Sequence, residues 1–199
     1  MRFEEHLVFH GLAVKKHATA EEVAAAVLLD PALVRDVLSS GNNRVAEVKG
    51  KFTLLPATRV IIKGEYSRHY RDLRANAAFV SAYETFEKIN EDLKALITKW
   101  QVHDVGGAQV ANDHSDKEYD EKIIHRLGAL HERFEPVLRT MVTALPRLSI
   151  YETGLGHALE MAETGKIEWV SDVKIPSYHT LWFELHEDLL CMLGRTRCE

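Results

Sequence analysis

Two helix starts, eleven residues apart near the beginning of the chain, constrain its fold more than any other feature. Thr19 with Glu22 forms a Thr-x-x-Glu capping box, in which a hydroxyl and a carboxylate satisfy backbone N–H groups that a helix leaves unpaired at its start. Asp30-Pro31 repeats the signal, an N-cap carboxylate followed by a residue whose fixed φ suits the first helical position. Val23, Ala24, Ala26 and Val27 follow the first start, and Leu33, Val34, Val37 and Leu38 follow the second, each set at helical spacing. The spacing predicts helices over 20–28 and from Pro31 to a stop at Gly41, with so short a connection that the two must meet at a tight turn. A preceding helix over 3–16 is predicted by Leu7, Val8, Leu12 and Val14.

After Asn42-Asn43, two short segments, 45–48 and 52–55, flank Lys49-Gly50-Lys51 and predict a β-hairpin. Three helices and then a hairpin is the plan of a winged helix-turn-helix. The run TAEEVAAAVLLDPALVRDVLSS followed by VAEVKGKFTLLPATR resembles that domain in bacterial regulators of the MarR and GntR type, with Leu55-Pro56-Ala57 where those proteins carry Thr-Pro-Ala/Gly. The likeness covers about the first third of the chain. It implies that the helix from Pro31 to Ser40 faces the DNA major groove and that the hairpin tip lies near phosphate. The residues it implicates in double-stranded DNA binding are Arg35, Ser39, Ser40, Asn42, Asn43, Arg44, Lys49 and Lys51. Asp36 lies on the same outward face and repels phosphate, so a protein-docking role for the domain stays open.

Charge follows a similar division. Residues 1–75 carry 12 Lys and Arg against 9 Asp and Glu, whereas residues 76–199 carry 13 against 21, within a total net charge of −5. A basic first part beside an acidic remainder suits a nucleic-acid reader joined to something that does not touch nucleic acid. With 46% hydrophobic and 28% charged residues the chain has the composition of a globular protein. Glu4, Glu5, His6 and His10 interrupt the first ten residues, so no signal peptide is expected there, and no window approaches the roughly 20 apolar residues of a membrane span. Cys191 and Cys198 have no CxxC spacing and read as free thiols in a reducing cytoplasm.

The remainder reads as helical. Residues 60–74 form a connecting segment in which Tyr66, His69 and Tyr70 alternate with basic residues. Phe79, Tyr83, Phe86, Asn90, Leu93, Ile97 and Trp100 then repeat at spacings of four and three over 77–101. Ile123, Leu127, Leu130, Phe134, Val137 and Met141 do the same over 116–145, across Pro136. A third helix is expected over 147–163 and a fourth after Pro176-Ser177, with Tyr178, Leu181, Trp182, Leu185, Leu189 and Met192 on its apolar face. The expected fold is therefore mostly α: a winged helix-turn-helix of three helices plus a β-hairpin over 1–62, a linker helix over 63–76, and an antiparallel four-helix bundle over 77–199 for ligand binding or dimerisation. Residues 102–115, polar and glycine-rich, are expected to form an irregular loop.

Three readings of the polar residues in the second part stand side by side. A pocket for a small-molecule effector would use Trp100 and Trp182 as walls and Asn90, His179 and His186 as orienting groups. A metal site, as in the helical sensor domains of some GntR-type regulators, would draw on Asp113, His114, His125 and His186, although no HxxxH or HExxH spacing is present. The same groups also suit hydrogen-bonded core positions that fix helix register. Signatures of nucleophilic, phosphate-loop or dinucleotide chemistry are missing from the sequence, so no catalytic residue and no cofactor are expected. The leading expectation is a cytoplasmic DNA-binding transcriptional regulator, a homodimer with a helical effector domain and no membrane partner. The alternative is a non-DNA winged-helix interaction module, since similar segments accompany phosphoenolpyruvate-utilising enzymes.

Overall fold

A computed structural model describes residues 1–41 and 43–196; Asn42 and Cys198, both singled out above, lie outside the described residues. The described chain is mostly helical, with ten α-helices and two small antiparallel sheets. Its contacts divide it into two compact units, Met1–Ala75 with Glu184–Glu199, and Asn76–Phe183. The expected division at 63–76 did not foresee that the last residues belong with the first.

In the first unit, α1 (Phe3–Lys15) buries residues all round its middle, from His6 to Leu12, and so forms the centre of that unit. α2 (Ala20–Val27) starts with the capping box: Thr19 Oγ1 accepts from the Glu22 N–H at 3.2 Å, and Glu22 Oε2 accepts from the Thr19 N–H at 2.7 Å. α1 and α2 approach closely at Gly11, where a Cβ would meet a Val27 methyl at 2.6 Å. Leu28 ends α2 in the left-handed region with φ 54°, an uncommon conformation for a side-chain-bearing residue, which the tight turn requires. α3 (Pro31–Ser40) follows, with Asp30 Oδ1 accepting from the Ala32 and Leu33 N–H groups at 2.8 and 3.1 Å.

β1 (Val45–Val48) and β2 (Lys51–Leu54) pair antiparallel, with Val48 opposite Lys51. The two-residue turn Lys49-Gly50 has positive φ at both positions, 52° and 76°, the geometry that matches the twist of the flanking strands. Ala18 pairs with Phe52 on the other side of β2, and Phe52 and Leu54 are buried. α4 (Pro56–His69) starts directly after β2, so the connecting helix begins earlier than its apolar pattern suggested, and α5 (Arg71–Ala75) completes the N-terminal stretch.

The second unit opens with α6 (Ala77–Gln101), N-capped by Asn76, and all seven residues of its predicted seam are buried. The expected loop forms a second hairpin instead: β3 (Val102–Val105) pairs antiparallel with β4 (Ala108–Ala111) around Gly106-Gly107, both with positive φ. A Gly-Gly turn between two four-residue strands satisfies enough backbone groups to order a polar segment that buries little. α7 (Lys117–Ala144) runs unbroken through Pro136, and it buries Leu138 where the pattern pointed to Val137. After a 3₁₀ turn at Pro146–Leu148 come α8 (Ser149–Glu163), α9 (Glu168–Ser171) and α10 (Tyr178–Leu193), within which the boundary between the units falls. Gly154 on α8 leaves room for Leu181, whose methyl would lie 3.1 Å from an added Cβ.

Trp182 anchors the core of this unit. Its ring lies 5.0 Å from Phe86 on α6 and 4.4 Å from Phe134 on α7, and its Nε1–H donates to Asn90 Oδ1 at 3.0 Å. Both Trp182 and Asn90 are buried. Asn90→Ala leaves a buried indole N–H without that acceptor and is expected to lower the unfolding free energy by about 1–3 kcal/mol, read from urea denaturation. An unchanged midpoint would show that the bond adds nothing to stability.

Candidate functional sites

The α3 face is open. Of its residues only Val34 and Leu38 are buried, while Ala32, Arg35, Asp36, Ser39 and Ser40 are exposed. Its cations are nevertheless engaged. Arg35 pairs with Glu21, Arg44 with Glu5, and Lys51 with Glu22 at 3.6 Å. The Arg44 guanidinium also lies 5.8 Å from the centre of the Phe9 ring. Backbone hydrogen bonding and Arg35 together hold the Glu21 carboxyl below its ordinary value. Lys49, at the hairpin tip, has no carboxylate partner among the described residues. Asn43 has φ 63° in the turn after α3.

The residues expected to line an effector pocket are placed as follows. Asn90 and Trp182 bond to each other in the core, and Trp100 packs at 4.5 Å against His114. His179 is half-buried in the second unit, whereas His186 is buried and belongs to the first. A polar node that the pattern missed lies next to Trp100. Asn112 donates through Nδ2 to the Trp100 carbonyl at 3.0 Å and to Asp120 Oδ1 at 2.9 Å, and His114 Nδ1 lies 2.9 Å from Asp120 Oδ2. Asp120 is buried, and the node fixes the segment after β4 onto α7. Asp113 turns away to the Ser115 N–H at 3.0 Å, and its bonds to Ser115 lower its carboxyl. A cavity of about 550 Å³ beside this node is lined by His114, Lys117, Asp120, Glu121, His125 and Glu163, among others. Among the described residues, no group of three or more His, Cys, Asp and Glu side chains is arranged to hold a metal ion. The metal candidates Asp113 and His114 belong to one unit and His186 to the other.

The first unit holds a second buried polar group. His10 Nε2 lies 2.8 Å from Asp188 Oδ1, and His10 Nδ1 lies 2.8 Å from the Tyr66 hydroxyl, with all three residues buried. Burial chiefly, and then Cys191 nearby, raise the Tyr66 hydroxyl far above its ordinary value, so it stays a phenol. The distances suit a chain in which the Tyr66 O–H donates to Nδ1 and Nε2–H donates to Asp188. The His6 ring sits 4.9 Å from Tyr66 and 4.5 Å from His69, and Tyr70 closes the cluster at 5.7 Å. Helical i, i+4 spacing puts His6 and His10 on one side of α1, a signal that could have pointed to their pairing but not to Tyr66 or Asp188.

Comparison with protein-family models, curated proteins and solved structures finds no match for this chain. Among the described residues no helix is long and apolar enough to cross a membrane.

Two histidines of the second unit make its stability depend on pH. Burial lowers His131 and His179 below the ordinary histidine value, and the Tyr178 hydroxyl lies 3.1 Å from His131 Nδ1. Burial keeps that tyrosine a phenol, able to donate to a neutral ring. Both histidines protonate more readily unfolded than folded, so the stability they allow at neutral pH is lost as pH falls through and below the ordinary histidine value. The thermal midpoint is expected to drop between about pH 7.5 and about pH 5, and His131→Gln with His179→Gln to flatten that drop. An equal drop in the double variant would place the dependence elsewhere.

Proposed function

We propose that the first unit is a winged helix-turn-helix that binds double-stranded DNA, and that the chain is a transcriptional regulator. On this reading α6, α7, α8 and the start of α10 form a four-helix bundle that senses an effector and supplies homodimer contacts. The observation that carries it is α3 itself, capped by Asp30, set by a tight turn against α2, followed by a hairpin and exposed along its outer face.

The ion pairs weigh on the strength of binding more than on its possibility. An exposed pair is worth about 0–1 kcal/mol, so phosphate can take Arg35, Arg44 or Lys51 from its carboxylate at small cost. Glu5, Glu21 and Glu22 nonetheless remain beside the cations they release and oppose the DNA backbone. The same pairing favours a second reading, in which α3 docks on another protein. The first unit as a whole is nearly balanced, with 14 Lys and Arg against 13 Asp and Glu, because the C-terminal residues it gathers add four acidic side chains against two basic ones.

Fluorescence anisotropy with duplex DNA from the region upstream of the chain's own coding sequence, at about 50 mM salt, separates the two. DNA binding predicts weaker association for Arg35→Ala with Lys49→Ala and stronger association for Glu21→Gln with Glu22→Gln, glutamine being acceptable in the capping box. No association in wild type or in the glutamine variant would overturn the DNA reading and leave the docking one.

A further inference from the structure

The first unit contains a cavity of about 550 Å³ that no sequence motif announced. One wall is a face of α4, where Arg59, Ile62, Lys63 and Tyr66 recur at helical spacing, and the other is a face of α10 with Glu187, Leu190 and Cys191, continued by Gly194 just past the helix end. Ala13, Arg74, Arg195 and Thr196 complete it. Among the described residues, four cationic side chains line the cavity against the carboxylate of Glu187.

Two of the four are set in place by the end of α10. Gly194 has φ 66°; its N–H bonds to the Cys191 carbonyl at 3.2 Å, and the Arg195 N–H reaches the Leu190 carbonyl at 3.0 Å. This left-handed closing turn suits glycine and brings Arg195 back to the cavity. Arg74 donates from Nε to the Met192 carbonyl at 2.7 Å, and a Cβ on Gly194 would lie 2.9 Å from Arg74 Nη2. Glycine is therefore needed twice, for the turn and for the guanidinium beside it. The electron-rich carbonyls of Leu190, Cys191 and Met192 are all engaged by these bonds, which limits how far the helix end offsets the cations. Arg59 and Lys63, on the exposed side of α4, have no carboxylate partner among the described residues. The inner wall is Tyr66, whose hydroxyl bonds to His10 Nδ1, on the ring that Asp188 holds through Nε2.

We infer that this cavity binds a small organic anion carrying two or more negative charges, held between Arg59, Lys63, Arg74 and Arg195 with its carbon skeleton against Ile62 and Leu190. Guanidinium groups suit carboxylate and phosphate because their fixed N–H fork donates two parallel bonds. The volume lies within the roughly 300–1,000 Å³ of small-molecule sites and exceeds what a bare inorganic ion fills. The buried apolar residues Ile62 and Leu190 favour an ion with a carbon body over inorganic phosphate. The inference does not depend on what α3 binds.

Isothermal titration calorimetry on the full chain, with citrate, glycerol 3-phosphate, inorganic phosphate and glycerol, tests it. Heat is the better readout because citrate and phosphate stabilise most proteins by exclusion from their surface, whether or not a site exists. Saturable binding of citrate or glycerol 3-phosphate is expected, tighter than inorganic phosphate and without a glycerol counterpart. Arg59→Gln with Lys63→Gln should weaken it by about tenfold or more, and Lys94→Gln, on α6, should leave it unchanged. Both altered α4 residues are exposed, so circular dichroism should show an intact fold. Absence of saturable binding for both organic anions, or equal affinity in the α4 variant, would overturn the inference.

Discussion

The first unit depends on one buried contact, that between His10 and Asp188, which joins residues 178 positions apart. A carboxylate taken out of water needs a hydrogen-bonding partner, and a buried acceptor that loses one typically costs about 1–3 kcal/mol. His10 supplies that partner from the middle of α1, and Tyr66 holds the other nitrogen of the same ring. The last part of α10 is thereby committed to the unit that α1 begins. Two further bonds act in the same direction, Lys15 to Glu184 at 2.7 Å and Arg74 to the Met192 carbonyl at 2.7 Å. α1, buried all round its middle, packs against α2, α3, β2 and α4, and His10 and Lys15 on it reach Asp188 and Glu184 of α10.

Local chemistry was the most legible part of the chain. The Thr19–Glu22 box, the Asp30 cap and the α6 seam are encoded by local residues and formed as read, and the hairpin formed with a tighter turn, Lys49-Gly50, than the expected Lys49-Gly50-Lys51. The errors came where distant residues decide. Segment 102–111 looked like a loop because its polarity outweighed a Gly106-Gly107 pair that is itself a hairpin signal. Leu138 displaced Val137 because one position in a helical stripe can face the core by a step of three or of four. His10, Tyr66 and Asp188 come from three helices and are separated by 56 and 122 positions, so no spacing rule joins them. Asn90 and Trp182 were expected to line one effector pocket, as orienting group and apolar wall, but the sequence does not say that they bond directly to each other, as they do.

The same limit applies to charge. Counted along the chain, the N-terminal 75 residues are basic, and a basic stretch beside an acidic one invites a nucleic-acid reading. Folding divides those cations by position. Arg35, Arg44 and Lys51, on or near the α3 side, meet Glu21, Glu5 and Glu22, so the surface that a winged helix would offer to DNA is mostly neutralised by its own neighbours. Arg59, Lys63 and Arg74 instead converge with Arg195 around a cavity where, among the described residues, Glu187 alone supplies a carboxylate.

Position also decides how much each group of charges is worth. On an exposed face, water and salt screen charges within about 10 Å at 0.1 M, and paired charges of both signs largely cancel beyond contact. In a concave site with low-dielectric walls, charges of one sign reinforce one another and draw in a counter-ion. The cavity side of the first unit is therefore where its basic residues act together, although the composition of the N-terminal segment suggested the helix face. What made those residues converge is the return of α10 under the His10–Asp188 contact, since Glu187, Leu190, Cys191, Gly194 and Arg195 reach the cavity only as part of that unit. The segment of α10 that makes this contact also forms a wall of the cationic cavity, so core packing and the shape of the proposed anion site rest on the same residues.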